Sequence, residues 1–252
     1  MEEKIIYYSD PLNDEFSSAI ITPKVIDENY RYVRINTFLG KLARLFWYHI
    51  VFRPFGFFHL KFKYHHKIIG KEKLKLTKKE AYFMYGNHTL EFEDAFVFQY
   101  FDHKEKFVIT HPNNVSMKFL GKITPCLGAL PLPSNMKAYK NFLNAIDYHI
   151  KHNHPIVIYP EAHIWPFYTD IRPFKDTSFH YPIKANVKTY CFTNTYQKTK
   201  NNKFKLVTYI DGPFEASTKE ELRDLVYNQM KERSKNSNFE KIKYVYRSKE
   251  ND

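Results

Sequence analysis

Short, wholly apolar runs alternate along the chain with longer stretches of helical spacing. Residues 81–86 (AYFMYG) and 155–159 (PIVIY) read as strands buried on both faces, and 106–110, 188–193 and 204–210 read as further strands. Residues 90–100, 134–151 and 217 to about 235 carry the helical period. The second of these places Met136, Phe142, Ala145 and Ile146 on its apolar positions. The third opens with a capping-box pattern, Ser217 at the cap and Glu220 three residues on. Apolar strands alternating with helices predict an α/β fold, a mainly parallel central sheet flanked by helices. Residues 1–30 show little periodicity and are expected to be irregular. The polar tail after the last helix is expected to fray.

Residues 31–59 have a different character. Phe38, Leu42, Leu45, Phe46 and Ile50 recur at helical spacing between Lys41, Arg44 and Arg53, and Pro54 is expected to stop the helix. Trp47, Tyr48, Phe52, Phe55, Phe57 and Phe58 make the segment unusually aromatic. This is the composition of a helix lying in a membrane interface. It also suits a helix packed on its own domain, as most amphipathic helices are. The chain thus divides into an N-terminal amphipathic helical segment (1–60), an α/β domain (61–215), and a C-terminal helix with a polar tail (216–252).

Composition narrows the chemistry. The 252 residues suffice for a full core, and only 7 are glycine, with no G-x-G, which excludes a glycine-rich phosphate loop. The 2 cysteines, Cys126 and Cys191, exclude a zinc ribbon, a C-x-x-C redox pair and a disulfide framework, and suit a reducing, cytosolic setting. A net charge of +12 points to an anionic partner: nucleic acid, an acidic protein or anionic lipid. The aromatics mostly cluster in apolar runs rather than interleaving with the lysines, which argues against nucleic acid, and the Lys-rich stretch 61–79 reads as a solvated basic face. No stretch is long and apolar enough for a spanning helix. The opening Met-Glu-Glu does not resemble a signal peptide. His65, His66, His152 and His154 read as polar surface, and no metal is expected.

Ligands of open α/β sheets bind beyond the carboxyl ends of the strands, and two predicted strands end in polar clusters. After 81–86 comes Asn87-His88, with Glu93 and Asp94 five and six residues beyond the histidine. A histidine oriented by a carboxylate is a general base, and with no serine or cysteine beside it His88 would act on a substrate hydroxyl. The same acids also suit the first turn of a helix. After 155–159 comes Pro160-Glu161-Ala162-His163, then a long loop with Arg172 and Lys175. Arg172 is the only arginine between Arg53 and Arg223. It suits either bidentate recognition of a phosphate or an ion pair with Asp170 or Asp176.

The order N-H-x-x-x-x-acid, then Y-P-E, then P-F-K resembles the glycerophospholipid acyltransferase superfamily, typified by 1-acyl-sn-glycerol-3-phosphate acyltransferases, over about residues 80–195. That family has His, four residues, Asp; here Glu93 holds the aspartate's place and Asp94 follows, and Asp94 is favoured as the family's residue type. Ala162, His163 and Ile164 replace the family's Gly-Thr-Arg, and no arginine follows Gly128 where the second motif would fall. Arg172, Lys175 and Lys184 are the candidate substitutes. The resemblance implies transfer of a fatty acyl group from an acyl-CoA or acyl-ACP thioester to the hydroxyl of a lysophospholipid, giving phosphatidate from 1-acylglycerol-3-phosphate. His88 would be the base, with Glu161 and His163 at the acceptor and no cofactor needed. Amides at a helix start near Thr89 would stabilise charge. Residues 31–59 would then dock the enzyme on the cytoplasmic face of the membrane, and an acidic acyl carrier protein would suit the positive charge. A binder of anionic lipid or nucleic acid without chemistry is the alternative.

Overall fold

The structure is a computed structural model that describes residues 4–17, 21–77, 79–200 and 203–248. In chain order its strands are β1 (Lys4–Tyr8), β2 (Lys67–Ile69), β3 (Phe83–Gly86), β4 (Phe107–Thr110), β5 (Ala129–Pro131), β6 (Ile156–Ile158), β7 (Thr189–Lys198), β8 (Phe204–Phe214) and β9 (Ile242–Tyr246). Its helices are α1 (Phe38–Arg44), α2 (Arg53–Tyr64), α3 (Asp94–Val97), α4 (Asn113–Ser116), α5 (Leu120–Ile123), α6 (Met136–Lys151), α7 (His180–Ala185) and α8 (Lys219–Ser234). The main sheet runs β2-β8-β7-β3-β6-β4-β5. Its β7–β8 pair is antiparallel, and the other pairings among the described residues are parallel.

The central strands are apolar throughout because both faces are covered. Phe83, Tyr85, Ile156 and Ile158 point to one side, against Phe142 of α6 and Val226 and Met230 of α8. Met84 and Val157 point to the other, against Leu60 and Tyr64 of α2 and Phe96 of α3. This two-residue alternation within an unbroken apolar run is what a doubly covered sheet demands. The expected α/β architecture is the observed one, and α8 belongs to its core.

Several local expectations fail for identifiable reasons. Helix does not stop at Pro54: a π-helical segment, Leu45–Phe52, joins α1 to α2. The N–H of Arg53 bonds the carbonyl of Tyr48, five residues back, and this wider turn accommodates Pro54, which has no N–H to give to the preceding turn, in the first turn of α2. Of the helix expected over 90–100, only Asp94–Val97 is α-helical. The helix near 217 begins one residue later. Thr218 caps the Glu221 N–H at 3.1 Å, and Glu221 reaches back to the Ser217 N–H at 2.9 Å. Residues 9–17 and 21–30 form no helix or strand, as expected, but β1 before them and β9 in the polar tail pair in parallel as a separate two-stranded sheet. Each strand's partner lies at the opposite end of the sequence, where local periodicity carries no signal.

The N-terminal helices are tethered by polar anchors. Arg44 is buried, pairs with Glu105 at 2.6 Å and donates to the Cys126 carbonyl. Tyr48, Leu60 and Tyr64 also face inward, whereas Phe38, Leu39, Ile50, Phe58 and Phe62 stand in solvent, Phe62 at 68% exposure. No helix among the described residues is long and apolar enough to cross a membrane.

Candidate active site

β3 and β6 are neighbours, so the polar segments that follow them meet beyond one end of the sheet. His88 follows β3. Its Nδ1 lies 2.7 Å from Oδ2 of Asp94. A carboxylate accepts only, so Nδ1 carries the proton and Nε2 presents its lone pair. The partner of His88 is therefore Asp94. Glu93 does not face His88: its Oε1 accepts from His59 at 2.8 Å, Lys63 at 3.0 Å and Tyr64 at 3.0 Å. The turn ahead of α3 sends the two neighbouring carboxylates to opposite sides, Asp94 to the histidine and Glu93 to α2.

The Asp94 carboxyl is pushed up by burial, against the opposing pull of its bond to His88. It also accepts from the backbone N–H of Leu90 at 3.0 Å and from that of Thr89. This corrects the expectation that amides near Thr89 lie at a helix start, free to stabilise a developing charge. Those amides hold Asp94 instead, and the helix begins only at Asp94. For Glu93 burial works against ionisation, but the donors from His59, Lys63 and Tyr64 outweigh it and hold the carboxyl below its usual range.

Glu161 follows β6 and turns inward. Its Oε2 accepts from the His88 N–H at 3.3 Å and from Arg172 at 3.3 Å, and its Oε1 accepts from the Arg172 N–H at 3.2 Å. Burial pushes its carboxyl up, and the Arg172 guanidinium pulls it back. Arg172 is 1% exposed, lies over the Trp165 ring and donates to the His163 carbonyl. The ion-pair partner of Arg172 is Glu161, not Asp170 or Asp176. Its two terminal nitrogens donate within the protein, while its buried Nε has no hydrogen-bond partner among the described residues. Glu161 braces the backbone of His88 rather than reaching toward an acceptor. Ala162 has φ of 63°, the left-handed region that glycine favours.

The remaining candidates lie apart from the dyad. The His163 ring faces Glu15 at 3.4 Å, and Lys175 and Lys184 are exposed. None of the three is among the residues lining the cavity beside His88.

That cavity measures about 150 Å³. His88 and Asp94 stand in its wall with Phe52, Phe96, Val108, Leu127 and Tyr159. Tyr159, read from the sequence only as the end of a strand, stacks on His88 with ring centroids 4.6 Å apart and donates to the Asp94 carbonyl at 2.6 Å. It thus fixes the plane of the imidazole and the seat of its partner together. Arg53, read as punctuation in a helix, also lines the cavity, as do Tyr48 and Phe52 from the same N-terminal helices. No lining residue among those described is serine or cysteine. No group of three or more His, Cys, Asp or Glu among the described residues is placed to hold a metal ion.

The chain matches no model of a known protein family and no curated protein.

Proposed function

We propose that this protein transfers a fatty acyl group from an acyl thioester, carried on coenzyme A or acyl carrier protein, to the hydroxyl of a lysophospholipid. The observation that carries this reading is the His88–Asp94 dyad in the wall of an apolar cavity without a serine or cysteine nucleophile. A base so placed acts on a hydroxyl that the substrate brings. Nε2 of His88 takes that proton as the oxygen attacks the thioester carbonyl. The tetrahedral intermediate collapses, the C–S bond breaks, and the imidazolium returns the proton to the departing thiolate. Asp94 holds the tautomer and offsets the imidazolium charge. The apolar wall suits the acyl chain. Arg53 suits the phosphate of an acceptor such as 1-acylglycerol-3-phosphate, a task the sequence had suggested for Arg172.

The N-terminal helices support a membrane-borne acceptor. Their outer face exposes Phe38, Leu39, Ile50, Phe58 and Phe62, and exposed Lys41, Lys61 and Lys63 accompany them. Apolar rings among basic residues suit the surface of an anionic bilayer. The same helices reach the cavity through Tyr48, Phe52 and Arg53. A lipid taken up at that face therefore has a short path to His88.

The test is product analysis. Wild-type protein is incubated with acyl-CoA or acyl-ACP and vesicles containing 1-acylglycerol-3-phosphate. Phosphatidate and free thiol are expected in equal amounts. If neither appears with this or any other lysophospholipid, the reading falls.

A further inference from the structure

A line of buried polar side chains runs from the dyad across the sheet. Asn194 of β7 is 1% exposed, and its Nδ2 donates to Oδ1 of Asp94 at 3.3 Å, the oxygen that His88 does not use. Its Oδ1 accepts from the Thr208 hydroxyl of β8 at 2.7 Å. Thr208, 0% exposed, lies 2.8 Å from Nε2 of His66. Asn194 and Thr208 are direct partners in the β7–β8 ladder. The Asn194 backbone is pinned to Asn87, next to His88: its N–H donates to Asn87 Oδ1 at 2.7 Å, and its carbonyl accepts from Asn87 Nδ2 at 3.1 Å.

The direction of every bond in this line follows from its end. A carboxylate only accepts, so the amide nitrogen of Asn194 faces Asp94 and its oxygen faces Thr208. Thr208 spends its single proton on that oxygen and must accept from His66, which fixes His66 as the Nε2–H tautomer. Burial, aided by Lys71, lowers the His66 pKa to about 4, so the ring is neutral near pH 7 and keeps an acceptor nitrogen at Nδ1. Strand stability does not call for such a row. Apolar side chains would serve strand packing at the positions of Asn194 and Thr208, but they would leave Oδ1 of Asp94 and the Nε2–H of His66 without these partners, and a buried polar row is costly unless every member is paired. The one end of the row that does chemistry is Asp94.

We propose that Asn194, backed by Thr208 and His66, is a positioning residue of this site: it fixes which oxygen of Asp94 faces His88 and so aims Nε2 of His88 into the cavity. This rests on His88 being the base of the reaction proposed above. Loss of the row lets the Asp94 carboxylate turn and the imidazole follow it, and small misplacements of a reacting group are costly in rate.

Three variants test this: Asn194→Leu, Thr208→Val and Thr208→Ser. Two readouts are taken on each, after urea unfolding has shown which variants are folded. The first is kcat and KM for acyl transfer. Asn194→Leu is expected to lower kcat by roughly 10- to 100-fold. Thr208→Val is expected to lower it less, with KM nearly unchanged in both, and Thr208→Ser, which restores the hydroxyl, to keep the wild-type kcat. The second is the low-field proton resonance of His88 Nδ1–H, assigned by its loss in His88→Gln. It is expected to move in Asn194→Leu and Thr208→Val and to stay in place in Thr208→Ser. Should Asn194→Leu fail to fold, the Thr208 pair decides. An unmoved resonance in Thr208→Val, or an unchanged kcat in that folded variant, overturns the proposal. If wild-type protein transfers no acyl group to any acceptor, the reaction assignment fails. The proposed role for Asn194 in that reaction falls with it, while the resonance still decides whether the row holds the dyad.

Discussion

Replacing Arg172 by methionine separates a buried structural arginine from one that waits for a phosphate. In the structure the side chains of Arg172 and Glu161 are 1% and 0% exposed and lie 3.3 Å apart. Methionine keeps most of the volume and removes the charge, leaving the Glu161 carboxylate buried without its cation. Breaking a buried pair on one side costs about 3–5 kcal/mol. Here the lower end applies, because the backbone N–H groups of His88 and Arg172 still donate to Glu161. A loss of about 3 kcal/mol corresponds to a fall in Tm of roughly 6–12 °C for a chain of this size. The assay is urea or thermal unfolding of wild type, Arg172→Met, Glu161→Gln and the double variant. The double variant leaves no buried charge and is expected to recover most of the loss. The pH dependence has a definite sign. Burial already raises the Glu161 carboxyl, and removing Arg172 takes away the group that pulls it back. Above its raised value the unpaired carboxylate destabilises the variant, and as pH falls through that value protonation narrows the gap to wild type. A loss below about 1 kcal/mol, typical of a solvated pair, would show that Arg172 is not a buried structural cation and would return it to the surface as an anion ligand.

Other outcomes follow from single contacts. Glu93→Gln is expected to lose about 1–2 kcal/mol at pH 7, since three donors converge on one charged oxygen. The Glu93 carboxyl is depressed in the fold, so its contribution is present above the unfolded carboxylate range and vanishes as pH falls through the folded value. The two unfolding curves should therefore converge in acid. Ala162→Gly is expected to raise stability by roughly 0.5–1 kcal/mol by relieving a left-handed alanine, and a lower urea midpoint would contradict this. Phe58→Ser with Phe62→Ser should leave unfolding unchanged, because both rings are exposed. It should weaken co-sedimentation with anionic vesicles by roughly a hundredfold or more, and equal sedimentation would remove this face as the docking surface.

What could be read from the sequence was what is local. Residues 81–86 and 155–159 announce themselves as doubly covered strands because every position is apolar, and the polar turns after them mark the end of the sheet where a site forms. His88 and Asp94 lie six residues apart, close enough for chain order to suggest their pairing. The functions of Glu93 and Arg172 depend on partners that spacing does not reveal. Glu93 meets His59, Lys63 and Tyr64 across 29 to 34 residues, and Arg172 meets Glu161 only because an irregular loop folds inward. Asn194 fell just beyond the expected strand at 188–193. The signal was present in Thr193-Asn194-Thr195, three polar residues continuing an apolar strand, all of them buried. Tyr159 gave no signal, because a tyrosine ending a strand is equally at home in a core.

In the proposed reaction His88 deprotonates an acceptor hydroxyl for acyl transfer. The most direct measurement is the single-turnover rate of acyl transfer from acyl-CoA and acyl-ACP to vesicle-borne 1-acylglycerol-3-phosphate, for wild type and His88→Ala under identical lipid conditions. Wild type is expected to form phosphatidate, and the variant to lose roughly 10²- to 10⁴-fold in rate, the range for a lost general base. Equal rates in the two proteins would contradict this role of His88.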